Sequence, residues 1–345
     1  MGVIPGDRVQ CWHTWQHGRD RILSEGLEFM IIVEIKGGLG NQMQQYALYC
    51  KLRSLGKEAK LDLSWFRQEN QQEMLAPREC ELLRFRNLPY EECTAEEKAE
   101  LVGSNSILGK AARKLHIGSK SAGKRFTESK MYHPEIFELE DAYLDGYFAC
   151  TKYYEDILQE LRGVFVFPKS VIPEVNLHNR AAIQEMEDAY TFSCAVHLRR
   201  GDYLDEANAP LLGGICTEEY YQEAIDYLER AVAAMGSGRN IHFYIFSDDP
   251  AYAKACHFGN YGEPVTVCDW NEEEDNLLDM QLMTHCNGVI AANSTFSFWG
   301  GRLNAREPKV LIRPLRHRNN QIPDPEQMRD YWKGWTFVDV DGRIV

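Results

Sequence analysis

Short apolar runs rich in β-branched residues recur along this chain, each closed by a glycine or charged turn and followed by residues at helical spacing. Met30 to Ile35 is the first such run and predicts a strand. After the turn Gly37-Gly38-Leu39-Gly40 a helix is predicted from Asn41, a favoured cap residue. Met43, Tyr46, Ala47 and Cys50 lie on one face of it, and Gly56 ends it. Leu61 to Leu63 and Tyr143 to Phe148 are further strand candidates, with a helix expected from Thr151 to about Leu161. Pro168 and Pro173 bracket a linker near Phe167 to Val175, and beyond it the rhythm is cleaner. Strands are predicted at Phe192 to His197, His242 to Phe246, Val265 to Cys268, Val289 to Ala292 and Val310 to Ile312. The clearest helix runs from Thr217 to about Met235, with acids in its first turn, and another spans Asn276 to Cys286. Strands separated by helices imply parallel sheets covered on both faces. The expected class is therefore α/β, with two Rossmann-like domains whose parallel sheets face each other across a cleft. The expected divisions are an extension over 1–29, a first domain over 30–170 and a second over 171–345.

Composition narrows the function. A net charge of −14 argues against nucleic acid as a partner, because a phosphate backbone needs a basic face. No apolar stretch reaches membrane-spanning length and no signal peptide opens the chain, so a cytoplasmic location is expected. Ten cysteines without a CxxC pair fit reduced thiols better than zinc or a disulfide framework. His13 and His17 have helical metal-ligand spacing but no matching cluster, and no metal is expected. Residues 110–125 are basic on an acidic protein. A solvated face is the preferred explanation, and weak contact with a membrane surface is the alternative.

Chemistry concentrates at predicted strand ends, where open α/β sheets bind ligands. His197-Leu198-Arg199-Arg200-Gly201-Asp202-Tyr203 places two planar guanidiniums after an apolar run, which suits a diphosphate. Phe246-Ser247-Asp248-Asp249-Pro250 offers adjacent carboxylates, able to accept from a purine or ribose or simply to cap a helix. Asn293-Ser294-Thr295-Phe296-Ser297-Phe298-Trp299-Gly300-Gly301 sets small hydroxyls at a helix start, a seat for phosphate oxygens. Its Asn-Ser-Thr sequon is discounted because it falls at a strand–helix junction. The glycine turn at 37–42 lacks the third glycine of the dinucleotide fingerprint, although Asp62 lies near the ribose-acid distance. A nicotinamide dehydrogenase or a non-catalytic nucleotide-binding module is therefore the minor alternative.

Together, GGLGNQ at 37–42, Gly146-Tyr147-Phe148, HLRRGDY, FSDDP and NSTFSFWGG resemble the α-1,2-fucosyltransferases, in family order over roughly 30–315. The family often continues Gly-Tyr-Phe with Gln-Ser-Glu-Lys, where this chain has Ala149-Cys150-Thr151-Lys152. The resemblance implies a soluble, bacterial-type inverting enzyme of GT-B architecture. Its second domain would bind GDP-fucose, and its first would face a β-galactoside-containing oligosaccharide acceptor whose 2-hydroxyl receives the sugar. Another GDP-sugar transferase is the nearest alternative. No cofactor is implied, and a metal-independent reaction is expected. By the same resemblance Arg199 neutralises the leaving diphosphate, with Arg200 supporting it or pairing with Asp202. His197 with Asp248 or Asp249 reads guanine. Gly38, Gly40 and Asn41 close over the pyrophosphate with Ser294, Thr295 and Ser297, and Phe296 packs on base or sugar, or is simply buried. Asp202 is narrowly the first candidate for catalytic base, although a carboxylate beside two arginines suits loop support better. Asp205 and Glu206 are the alternatives.

Overall fold

The computed structural model describes residues 29–71, 78–102, 124–256 and 264–345, so most of the basic stretch and His13 and His17 lie outside it. Contacts divide the chain into two units, between Val166 and Phe167. Each is an α/β assembly around one parallel sheet, giving the two Rossmann-like sheets that the sequence predicts.

In the first unit, β1 (Ile31–Glu34), β2 (Ala59–Asp62), β3 (Arg125–Thr127) and β4 (Ala142–Asp145) pair in the order β2-β1-β4-β3. Ile31, Ile32 and Val33 are all buried, as a strand covered on both faces requires. Helix α1 spans Leu39–Ser54 and begins two residues before the predicted Asn41. Gly37 makes the turn at φ +79, Gly38 becomes the cap, and the Asn41 N–H already donates to the Gly38 carbonyl at 2.9 Å. The predicted apolar face is buried, and so are Gln42, Gln44 and Gln45. Two of these amides tie loops together. Gln42 donates to the Gly37 carbonyl at 2.9 Å and accepts from Leu82 N–H at 2.8 Å. Gln45 accepts from Lys36 N–H and donates to the Gly146 carbonyl, both at 2.9 Å.

Helix α2 (Ala95–Val102) carries a capping box, with Thr94 and Glu97 exchanging backbone and side-chain hydrogen bonds at 2.8 and 3.2 Å. The single helix predicted from Thr151 is instead two 3-10 turns, Thr151–Tyr153 and Glu155–Ile157, followed by α3 (Leu158–Val164). Tyr154, at φ −151 and ψ 12, interrupts the helical run between the two turns.

The second unit contains α4 (Pro173–Met186), β5 (Thr191–Leu198), α5 (Glu218–Ala234), β6 (Asn240–Ser247), α6 (Pro250–Ala255) and β7 (Val265–Cys268). There follow α7 (Leu277–His285), β8 (Gly288–Ile290), α8 (Thr295–Leu303), β9 (Val310–Pro314), α9 (Pro325–Tyr331) and β10 (Trp335–Val338). The sheet order is β10-β9-β8-β5-β6-β7, parallel throughout. The predicted linker is shorter than expected because α4 starts at Pro173, where a fixed φ suits a first helical turn.

Helix α5 is capped by Thr217, whose hydroxyl accepts from Tyr220 N–H at 3.1 Å. Tyr220, Tyr221, Ala224, Ile225, Leu228 and Val232 are its buried residues, in one cluster with apolar side chains of β5, β6 and β9. Each large side chain buried there contributes roughly 1.5–3 kcal/mol, which makes the sheet a rigid base for the loops at its ends.

Candidate active site

Three motifs meet at the carboxyl edge of the second sheet. Strands β5 and β6 are in register through Leu198↔Ser247, so the next residues, Arg199 and Asp248, emerge side by side. Strand β8 flanks β5 on the other side and leads through Ala291 and Ala292 into Asn293 and Ser294.

The guanidinium of Arg199 is held between two carboxylates, Asp202 at 2.5 Å and Asp248 at 3.0 Å. Burial works against its charge, but Asp248 and Asp202 outweigh that and hold the group above its ordinary pKa. Arg200 bonds differently from the expectation: its Nε donates to Asp249 at 3.2 Å, not to Asp202, and its plane lies 3.5 Å from the Tyr252 ring centroid. Its backbone N–H donates to Asp248 Oδ1 at 2.9 Å. Asp248 thus clamps the loop from the neighbouring strand, and only glycine fits beside it, because a Cβ at Gly201 would collide with Asp248 Oδ2. Asp249 also caps α6 by accepting from Tyr252 N–H at 2.9 Å. Both carboxylates assigned to guanine are therefore engaged with the two arginines.

His197 is buried, and its Nδ1 is 2.9 Å from the Ser297 hydroxyl. Burial and then the nearby Arg199 push its pKa down to about 3, so the imidazole is neutral. A neutral ring orients through hydrogen bonds and does not supply charge. Ser294 is the side-chain cap of α8, accepting from Phe296 N–H at 3.3 Å. Phe296 is half-buried, its ring 5.8 Å from that of His197. Thr295, also half-buried, opens the helix. Asp205 and Glu206 are exposed beyond the loop.

Sequence reasoning missed several supports. The Tyr203 hydroxyl donates to the Asn293 carbonyl at 3.1 Å, joining the arginine loop to the α8 turn. Asn293 is buried, its amide donating to the carbonyls of Leu212 at 3.0 Å and His317 at 3.3 Å. The His317 bond brings the loop Arg316-His317-Arg318, after β9, to the same edge. Tyr252 carried a legible signal: an aromatic three residues into the helix behind Asp249 can cover an arginine from the preceding loop.

The glycine turn belongs to the first unit. At Gly38 a Cβ would meet only the end of the Arg78 side chain, Nη1 at 3.4 Å, an ordinary contact. Gly40 is buried inside α1, and Asn41 is half-buried one residue on. The first helical N–H, that of Leu39, donates to Glu81 at 3.2 Å. Asp62 is spent on Lys98 at 2.5 Å and the Tyr143 hydroxyl at 2.6 Å, which removes it as a ribose acid. Asp339 accepts the N–H groups of Asp341 and Arg343 at 2.9 Å, so the one Asp-x-Asp sequence forms a turn. Among the described residues no cluster of three metal-ligating side chains occurs, the nine cysteines are free thiols, and no helix is long and apolar enough to cross a membrane.

A family model described as glycosyl transferase family 11 matches residues 126–339. An α-1,2-colitosyltransferase of Escherichia coli is 28% identical, over 86% of this chain and 97% of its own length. The O-antigen biosynthesis glycosyltransferase WbnK, also of Escherichia coli, is 30% identical over 82% and 93% of the two lengths. Among solved structures, a mutant of Arabidopsis thaliana FUT1 in complex with GDP aligns with a TM-score of 0.46 and 12% identity, covering 93% of this chain and 78% of that one.

Proposed function

Because the chain belongs to glycosyl transferase family 11, we propose that this glycosyltransferase moves L-fucose from GDP-fucose to the 2-hydroxyl of a terminal β-galactoside, with inversion and without a metal. The observation that carries the reading is Arg199 at the carboxyl end of β5, held between Asp202 and Asp248 and joined through Tyr203 to the start of α8. A guanidinium fixed in advance stabilises charge as it develops on a leaving diphosphate without reorganising. Ser294 and the N–H groups of the first turn of α8 add a second source of positive potential. His197, neutral and fixed by Ser297, contributes orientation at the nucleotide.

Asp202 spends its carboxylate on Arg199, which fits a positioning role. The base that takes the acceptor proton is then Asp205 or Glu206, the exposed acids of the same loop. The motif resemblance supports GDP-fucose and the galactoside, and the α-1,2 linkage in the name of the colitosyltransferase supports the bond position. That relative also gives a second donor reading, a colitosyl nucleotide.

A thermal-shift series with GDP, GDP-fucose, GDP-mannose, UDP-galactose and NAD tests the reading, because a ligand specific to the folded state stabilises by mass action. Selective stabilisation by GDP and GDP-fucose is expected; stabilisation by NAD alone contradicts it. Full transfer after exhaustive EDTA treatment is also expected, and loss of activity that manganese restores refutes the metal-free mechanism.

A further inference from the structure

We propose that the carboxyl edge of the first sheet is a subsite for an uncharged sugar, with the Tyr147 ring as its platform and Lys36, Glu34 and Asp145 as its polar partners. The proposal rests on the transferase reading above and assigns this edge to the acceptor.

The first observation is a strained turn. Directly after β4, Phe148 adopts φ +51, a left-handed conformation that is costly for an aromatic residue and persists only when its surroundings enforce it. They do so here. The Glu128 carboxylate accepts from both Tyr147 N–H, at 2.8 Å, and Phe148 N–H, at 3.0 Å. Gln45 donates to the Gly146 carbonyl at 2.9 Å, and a Cβ on Gly146 would stand 2.5 Å from Glu128 Cβ. These two backbone donors tie the carboxylate to the turn, although burial raises its pKa. The result is a division of two adjacent aromatics. Phe148 is fully buried, edge-on to Tyr153 at 5.6 Å between centroids, while Tyr147 is only half-buried and lies against Gly37.

The second observation is the chemistry beside that ring. Lys36 Nζ stands 5.9 Å from the Tyr147 centroid and pairs with Glu34 at 2.7 Å and with Asp145. An ammonium has three donors, and these two carboxylates take two of them. Asp145 also binds Arg125 at 2.5 Å, and Lys98 binds Asp62 at 2.5 Å. The Tyr143 hydroxyl sits 3.0 Å from Glu34 and 2.6 Å from Asp62. With Glu128 counted, three cations face four carboxylates, which disfavours a phosphate ligand. Side chains of Lys36, Glu34 and Asp145 keep 18, 13 and 14% of their surface open to solvent. A half-buried aromatic beside hydrogen-bonding groups of both polarities, with no excess of positive charge, matches a sugar ring: apolar on a face, hydroxylated at its rim. Ligands of parallel α/β sheets enter at this edge.

The test combines saturation-transfer NMR with lactose, in the presence of GDP, and initial-rate kinetics with GDP-fucose and lactose, on wild type, Tyr147→Ala, Tyr147→Phe and Lys36→Met. Tyr147→Ala is expected to lose the lactose signal and to raise the acceptor KM at least tenfold, while GDP affinity stays within twofold. Tyr147→Phe, which keeps the ring, should stay within threefold of wild type, and Lys36→Met should raise the acceptor KM without moving GDP affinity. An unchanged lactose signal and KM in Tyr147→Ala overturn the subsite, as does a wild type with no lactose signal. Loss of GDP affinity in Lys36→Met also overturns it, since the edge would then bind the anion. If wild type transfers no fucose but Tyr147→Ala still abolishes the lactose signal, the subsite stands and the fucosyl reaction falls.

Discussion

Replacing Gly201 with alanine tests whether the arginine loop is held in place by Asp248. The added methyl would collide with Asp248 Oδ2, with Asp248 Cγ 3.3 Å away, so the carboxylate must move. Moving it disturbs the 3.0 Å contact to Arg199 and the 2.9 Å bond from Arg200 N–H. Hydrogen bonds to charged groups are worth about 1.5–3 kcal/mol each. Arg199 and Asp248 keep 28 and 23% of their side-chain surface open to water, so screening reduces that figure. A net loss of about 1–3 kcal/mol at the loop corresponds to roughly a 5- to 150-fold weaker hold on GDP. Titration calorimetry with GDP measures this directly, and thermal unfolding separates it from global damage. Gly201 lies outside the main core, so the melting temperature should move little. Asp248→Asn, which retains an acceptor for Arg200 N–H, should weaken GDP less than Asp248→Ala. If Gly201→Ala binds GDP within twofold of wild type, the clamp does not position the arginines.

Further expectations concern charge and pH. Burial raises the Asp279 pKa from 3.8 to about 7, against a 2.8 Å bond from Asn271. The folded state therefore holds this proton more tightly than the unfolded chain, and the cost of ionising it accrues as pH rises from about 4 to 7. At 1.36 kcal/mol per pH unit the cost is at most about 4 kcal/mol, and less because the residue keeps some contact with water. Asp279→Asn should thus raise the melting temperature at pH 8 and leave it unchanged near pH 4; equal gains at both would refute the assignment. Arg199→Ala is expected to lower the transfer rate about 100- to 1000-fold, and near-normal rates in a steady-state assay would remove it from the leaving-group role. Ser297→Ala leaves the buried His197 Nδ1 without its 2.9 Å partner and should cost about 1–3 kcal/mol in chemical denaturation.

Strands β5 to β9 of the second sheet were legible because buried parallel strands are written as β-branched runs, and α5 because one apolar face repeats along it. Their order was not legible. Nothing in the local pattern places β8 between β5 and β9, yet that order brings Asn293 against Tyr203. The pairing of the arginines was also hidden. Arg200 faces Asp249 across 49 residues because of the β5–β6 register, whereas sequence proximity favoured Asp202. Strands β3 and β10 escaped notice since short segments such as Arg125–Thr127 carry little period. The start of α1 was misplaced for a different reason: an asparagine is a good cap in isolation, but Gly37 turns the chain early enough for Gly38 to serve. By contrast, the Thr94–Glu97 capping box stood in the sequence and could have located α2.

Fucosyl transfer to O2 of galactose leaves its signature in the product. Purified protein, GDP-fucose and lactose are incubated after EDTA treatment, and the trisaccharide is analysed by proton and long-range carbon–proton NMR. A fucose anomeric proton with the small coupling of an α-linkage and a three-bond correlation to galactose C2 is expected. A β-anomeric coupling, a correlation to another carbon, or no product with any GDP-linked deoxysugar would contradict it.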